Sequence, residues 1–471
     1  MIDTFALRSK IIDFALSGKI SDQHEDECVK FEHQRSKIWA DVREEEKYFE
    51  IPDTWKYVRV GEVTIINPKN DLDDTLEISF IPMTCVKDGF RNSHTFETKK
   101  WGEVKKGFSH LAEGDIGVAK ITPCFQNRKS VVFRNLKNGY GTSTTELTIV
   151  RPMEGAVCAE FLLYFFQSAF FINKGIESFT GAVGQQRIHK DYLKKSPLPL
   201  PPIEEQIRIV DKVNAVFKVL DTIDELRAQY LSNMQVLKNK VFDAGIQGKL
   251  TKQLPEDGAA EELYAEIQAE KIKLVQEGRI KKEKALPEIT EDEIPFDIPQ
   301  NWKWVRLGDI SAKISSGNTP AGGSRSSVYA EHGYHFFREQ NIYNDGIHEK
   351  GLVYITEELM EKRANSMVLP MDILLNITGG SIGRCALVSD DFTKGSINQH
   401  ILIIRMIDPR LRFYVHACIC SPYIQKYIKG NAVGDKEGFS GGRCKNMLIP
   451  LPPLSEQIRI VERMEELFGY M

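Results

Sequence analysis

From Ile209 onward, apolar residues recur in alternating steps of four and three. Positions 209, 213, 216, 220, 223, 227, 230, 234, 237, 241 and 244 hold Ile, Val, Val, Leu, Ile, Arg, Tyr, Met, Leu, Val and Ala, and only Arg227 is polar. That spacing keeps one stripe on one face of an α-helix and predicts a coiled-coil seam over about five heptads. Pro201 and Pro202 can precede a helix but not sit inside one. Gly245 and Gly248 are placed to end it. A helix over 203–244 is roughly 60 Å long at about 1.5 Å per residue. So long an apolar seam requires a partner helix.

An internal repeat supplies that partner. LPLPPIEEQIRIVDKVNAVF at 198–217 returns as IPLPPLSEQIRIVERMEELF at 449–468, with 11 of 20 positions identical. EIPDTWKYVRVGEV at 50–63 returns as DIPQNWKWVRLGDI at 297–310, with seven of 14 identical. LRSKIIDFALSGKI at 7–20 and LKNKVFDAGIQGKL at 237–250 share five of 14. Helix end, linker, domain and helix start therefore occur twice. Ile460, Met464, Leu467 and Met471 align with Ile209, Val213, Val216 and Leu220, while Leu7 and Ile11 align with Leu237 and Val241. The second helix is thus split between the two ends of the chain, residues 221–231 have no counterpart, and the termini are expected to lie close together. The organisation is that of a pseudo-twofold ring cut inside its second helix.

Between the helical blocks lie two mixed segments. In the first, 130–135 and 146–152 read as strands and 159–174 as a buried helix. In the second, 385–389 and 400–406 read as strands and 411–429 as a helix. Gly-Asp-Ile at 114–116 aligns with Met-Asp-Ile at 371–373. The class expected is α+β: two globular domains joined by long antiparallel coiled-coil helices.

Charge sharpens the division. The whole chain carries −4, but 53–200 holds 20 basic and 16 acidic residues and 300–450 holds 18 and 14, so each globular segment is +4. Helices and linkers carry the acidity, notably 41–50 and 256–293. The latter contains the charged helical pattern EELYAEIQAEKIKLVQEGRIKKEK, read as a solvated face. A uniformly basic coat is excluded; a local basic surface is not. The eight cysteines form no C-x-x-C pair and suit a reducing cytoplasm. The most apolar run, 161–172, is too short to span a membrane.

Several loops carry groups suited to base edges and phosphates. Candidate DNA-binding residues are Lys120, Gln126, Asn127, Arg128 and Lys129, then Gln185, Gln186 and Arg187 in the first domain. In the second they are Thr319, Ser324, Arg325, Arg338, Gln340, Asn341, Lys436 and Arg443. Arg suits guanine, and Asn or Gln suits adenine. No catalytic or metal site is expected. The Gly-Lys pairs at 18–19 and 248–249 are followed by Ile and Leu rather than the Ser or Thr of a P-loop, and Asn67-Pro68 leads to Lys69 rather than to the Pro-aromatic of amino-methyltransferases. Pro52, Asp53 and Lys56 resemble a nuclease motif only in part. His416, Cys418 and Cys420 could bind a metal but fit better inside the 411–429 helix.

The PLPPxxEQ junction opening a long helix, the IPxxWxxVxxG domain entrance and the twofold order together resemble the specificity (S) subunit of type I restriction-modification enzymes, over nearly the whole chain. The resemblance implies target recognition domains at 50–200 and 297–450 and a central coiled-coil helix at 201–250. Residues 451–471 and 1–20 would form the two parts of the distal helical region, with a linker at 21–49 and a charged helical segment and linker at 251–296. It implies that each domain reads one part of a split double-stranded DNA target. It also implies that the chain is not itself an enzyme but recruits two methyltransferase (M) subunits and restriction (R) subunits. S-adenosylmethionine, ATP and Mg are expected on those partners, with no cofactor in this chain. The chain departs from the family pattern in its second helix, which is split and short. A DNA-recognition subunit of another restriction or methylation assembly, and a coiled-coil protein scaffold, remain alternatives.

Overall fold

The computed structural model describes residues 2–29, 40–182, 185–318, 329–432 and 438–469. They fall into two units, Met1–Ala228 and Gln229–Met471, each with its own hydrophobic core.

The first unit contains α1 (Thr4–Leu16), β1 (Lys56–Arg59), β2 (Thr64–Ile66), β3 (Glu77–Ile81), β4 (Glu97–Lys100), α2 (Trp101–Val104), β5 (Ser109–Ala112), β6 (Ile116–Ala119) and β7 (Ser130–Val132). It continues through β8 (Tyr140–Ser143), β9 (Leu147–Pro152), α3 (Ala159–Gln167), α4 (Ala169–Glu177), α5 (Tyr192–Lys195) and β10 (Pro197–Leu200) to α6 (Ile203–Ile246), which crosses into the second unit. There follow α7 (Ala260–Gln276), β11 (Lys303–Arg306), β12 (Ser311–Ser316), β13 (Tyr334–Phe337), β14 (Ile342–Tyr343), β15 (Gly346–Ile347), β16 (Val353–Ile355), α8 (Glu357–Glu361), β17 (Met367–Val368), β18 (Ile373–Asn376) and β19 (Cys385–Leu387). The chain closes with β20 (Gly395–Ile397), β21 (Ile401–Met406), α9 (Arg412–Cys420), α10 (Pro422–Gly430), α11 (Gly441–Lys445), β22 (Leu448–Leu451) and α12 (Leu454–Gly469).

The two units repeat one topology. A four-stranded sheet β2-β9-β6-β7 has its counterpart in β12-β21-β18-β19. A second sheet, β4-β3-β8-β5, with parallel β3 and β8, is matched by β16-β13-β20-β17, with parallel β13 and β20. An antiparallel ribbon closes each domain, β1 with β10 and β11 with β22. The aligned Asp115 and Asp372 do the same job. Each accepts a two-pronged bond from an arginine at 2.7 Å, Arg151 and Arg405 respectively, and caps a preceding turn through Ala112 or Leu369 N–H.

Each helix expected over 159–174 and 411–429 is in fact two. Ser168 and Ser421 adopt extended backbone angles, and their hydroxyls accept from Phe171 N–H and Ile424 N–H to start α4 and α10. A serine that satisfies the first-turn donors makes a stable break. The helix also outruns its predicted end: Gly245 lies inside α6, where a Cβ would fall 1.9 Å from Met464 Cε. It is a close helix crossing rather than a stop.

The repeated motifs meet in a junction present once per unit. In the first, the buried Glu205 carboxylate accepts from Trp55 Nε1 (2.8 Å), Ser21 Oγ (2.7 Å) and Gln23 Nε2 (3.0 Å). In the second, Glu456 accepts from Trp302 Nε1 (2.8 Å), Thr251 Oγ1 (3.2 Å) and Gln253 Nε2 (2.8 Å). Helix end, domain entrance and helix start are thus pinned on one carboxylate. Arg208 with Glu27 and Arg459 with Asp257 brace it from outside. Buried Arg59 and Arg306 hold the linker through Glu46 and Glu293, and the Arg59 bond holds the Glu46 carboxyl down to about 2. Gly18 and Gly248 adopt φ of +71° and +69° with a proline packed where a Cβ would be, so only glycine fits without strain.

Antiparallel pairing is present at both ends of α6. Arg8 of α1 reaches Asp221 (2.6 Å) and Asp224 (2.9 Å), with Ile12 and Leu16 buried. In the second unit, Phe468 of α12 packs 5.1 Å from Phe242. The seam is not covered throughout, however: residues 225–233 are all exposed, as is Leu237 at 44 %. The reason is length, since α1 starts opposite Asp224 and the described end of α12 lies at Phe242.

The charged segment 260–283 is not a fully solvated face. α7 buries Leu263, Ile267 and Leu274 in the second core, and Lys271 Nζ donates to Gly308 O at 2.7 Å. Among the described residues, no helix is long and apolar enough to cross a membrane.

Candidate nucleic-acid interface

In the first unit the two loops expected to face DNA are joined by backbone bonds. Thr122 N–H donates to Gln186 O (2.9 Å), Ile188 N–H to Lys120 O (3.0 Å), and Thr180 pairs both ways with Arg187. This ladder extends the edge of the β6–β9 sheet and fixes Lys120 beside the 185–190 loop. The result is a cleft of about 380 Å³ lined by Lys120, Arg187, His189, Lys190, Lys194 and Asn67, among others. No acidic residue lines it. Arg187 holds Glu146 behind the cleft through two bonds of 3.0 and 2.7 Å, and Lys194 pairs with Asp191. Among the described residues Lys120 and Lys190 make no ion pair. A concave basic surface with two such ammonium groups suits a phosphate backbone. Gln185 is exposed at its rim and Gln186 half-buried.

Other candidates are placed differently. Gln126 and Asn127 are exposed but line a separate groove that faces α1 and α6. Arg128 does not reach outward as a base reader: its guanidinium lies 5.0 Å over Phe5 and 5.2 Å over Phe90, and its Nε donates to Gln167 O at 2.9 Å. It fastens the loop to α1. Arg384, which the sequence reading passed over, repeats the device 4.5 Å over Tyr343. Lys129 Nζ is 3.3 Å from Met83 O.

In the second unit Asn341 is corrected from base reader to turn holder. It is fully buried, its Nδ2 donates to His348 O and Lys350 O, and its Oδ1 accepts from Arg338 N–H. No hydrogen-bonding edge is left for adenine. Arg338 Nη2 donates to Gly351 O at 2.6 Å, as does Gln340 Nε2 at 3.2 Å, so both brace the β14–β15 hairpin. Arg443 Nη1 folds back onto Asn431 O. Thr319, Ser324, Arg325 and Lys436 lie outside the described residues. The loop 377–384 takes the place of 120–129, held by a bond from Phe439 N–H to Ile377 O (2.8 Å) and by Thr378 Oγ1 against His400 Nδ1 (2.7 Å). His416 lies in α9, its Nε2 donating to Cys385 O at 3.0 Å, and burial lowers its pKa. His189, Lys190 and Lys194 were missed as site residues. The signal was available: Arg187, Lys190 and Lys194 recur at steps of three and four into α5, which places them on one side.

Replacing Lys120 and Lys190 with alanine is expected to weaken DNA binding by the assembled complex on every sequence alike. The slope of log affinity against log salt should shrink by about one per lysine, with the preferred sequence unchanged. A salt titration of binding checks this.

Two domains of one topology, each pinned to a shared helix by the same junction and one presenting a basic cleft, define a duplicated DNA-reading protein. The family model for the type I restriction modification DNA specificity domain matches residues 52–230 and 299–469. The chain belongs to the family of type I restriction enzyme specificity subunits. It is 31 % identical to the EcoAI specificity subunit of Escherichia coli over 530 aligned residues, covering 98 % of this chain and 88 % of that one. It is 24 % identical to the MjaVIII specificity subunit of Methanocaldococcus jannaschii, covering 88 % and 87 %. A solved structure described as the structural basis of complex assembly and conformational transition of the type I R-M system shares the fold, with a TM-score of 0.64 at 19 % identity, covering 90 % of this chain and 92 % of that one.

Proposed function

We propose that this chain is the non-catalytic subunit that reads a split double-stranded DNA target for a type I restriction-modification complex. Each domain binds one half of the target, and the helices carry two methyltransferase subunits and, through them, restriction subunits. S-adenosylmethionine, ATP and Mg belong to those partners. The observation that carries this reading is the repetition of frame without repetition of surface. Both domains keep the same strand order, Asp–Arg pair and Trp–Glu junction, while their loops differ in length and chemistry: KITPCFQNRK at 120–129 against ITGGSIGR at 377–384. A common scaffold with different contact loops suits two readers of different sequences, since phosphate contacts position and base contacts specify. Mapping modified adenines in cells that carry this chain with its methyltransferase should show one bipartite motif with a fixed gap. A continuous motif, or none that depends on this chain, would count against the proposal.

A further inference from the structure

The two units differ at one place where their frames otherwise coincide. Between the carboxylates that pair with Arg208 and Arg459 and those that pair with Arg59 and Arg306, the chain runs 18 residues in the first unit (28–45) and 35 in the second (258–292). The excess equals the 17 residues of α7. In the second unit α7 lies on the domain entrance. Leu263 and Ile267 pack with Trp302 and Val305, Glu261 pairs with Lys303 at 2.8 Å, and Gln268 and Lys271 donate to the carbonyls of Asp309 and Gly308.

The first unit has the same bed without that helix. Trp55, Lys56, Tyr57, Val58 and Glu62 stand where the second unit has Trp302, Lys303, Trp304, Val305 and Asp309, and they line a groove of about 1410 Å³ together with Val29 and Ile51. Burial differs accordingly. Val305 is 2 % exposed and Gly308 is buried, whereas Val58 and Gly61 are part-exposed and Lys56 is exposed.

We infer that the groove at Lys56, Tyr57 and Val58 is a docking site for an amphipathic helix supplied by another protein chain, taking the seat that α7 fills in the second unit. The template fixes the chemistry of that helix. It needs an acidic residue in its first turn to meet Lys56, apolar residues four apart to cover Val58, and a lysine about three turns further on to reach the entrance carbonyls, as Glu261, Leu263, Ile267 and Lys271 do in α7.

The probe is a fluorescein-labelled peptide of residues 259–278, titrated against the full chain by anisotropy. Saturable binding is expected. Lys56→Glu, at an exposed position, should weaken it roughly two- to fivefold, as for one surface ion pair. A peptide carrying Glu261→Lys should recover that loss on the Lys56→Glu chain. Lys303→Glu should leave binding unchanged, because α7 occupies that seat in the same chain. Absence of saturable binding, equal affinity for Lys56→Glu and the unaltered chain, or binding seen only once residues 30–39 are deleted, which would make the chain's own segment the occupant, would each overturn the inference.

Discussion

Replacing Glu205 with alanine is expected to destabilise the first unit by about 3 kcal/mol or more. The carboxylate is 1 % exposed and receives three donors, from Trp55, Ser21 and Gln23. Its removal leaves those donors buried without an acceptor, at about 1–3 kcal/mol each before relaxation. Glu205→Gln keeps an acceptor and should lose less. Glu456→Ala should do the same to the second unit, where Trp302, Thr251 and Gln253 converge. Urea denaturation followed by tryptophan fluorescence reads both effects, since Trp55 and Trp302 are themselves donors. The account requires two losses of similar size, one in each unit. A neutral result at either glutamate would mean that the junction is not what fixes the domain to its helix.

Inserting four residues beside Arg227 is expected to change the gap between the two half-targets while leaving both half-sequences intact. α6 is one helix of 44 residues, and residues 225–233 are all exposed, so the insertion disturbs neither packed end. Four residues add about 6 Å of helix and roughly 40° of rotation. At about 3.4 Å per base pair, that is a gap longer by one or two base pairs. An unchanged gap with methylation intact would show that α6 does not set the spacing.

The duplicated frame was legible because its key residues are polar and buried. Glu205, Gln206 and Arg208 recur as Glu456, Gln457 and Arg459, and a buried polar side chain must keep its partners, so Trp55 and Trp302 recur with them. Helix breaks were less legible. Ser168 and Ser421 look like ordinary polar residues in apolar runs until their hydroxyls are seen capping a new turn. The charge of α7 hid the spacing of Leu263, Ile267 and Leu274, which marks a docked face. The reading loops were least legible, because side-chain type does not reveal where a group is spent. Arg128 and Asn341 have the chemistry of base readers, yet one is stacked between Phe5 and Phe90 and the other is buried in a turn. Lys120 and Lys190 keep their ammonium groups at a cleft because the backbone ladder from 120–122 to 186–188 sets them there.

The central claim is that each domain reads its own half of the target. The most direct test exchanges residues 53–197 for the corresponding domain of another specificity subunit and maps modified adenines with the same methyltransferase. Both exchange points lie in the ribbon and junction common to the two units, so the Trp55–Glu205 contact is kept. The account predicts that one half of the motif changes to that of the donor while the other half and the gap persist. A change in both halves, or in neither, would contradict it.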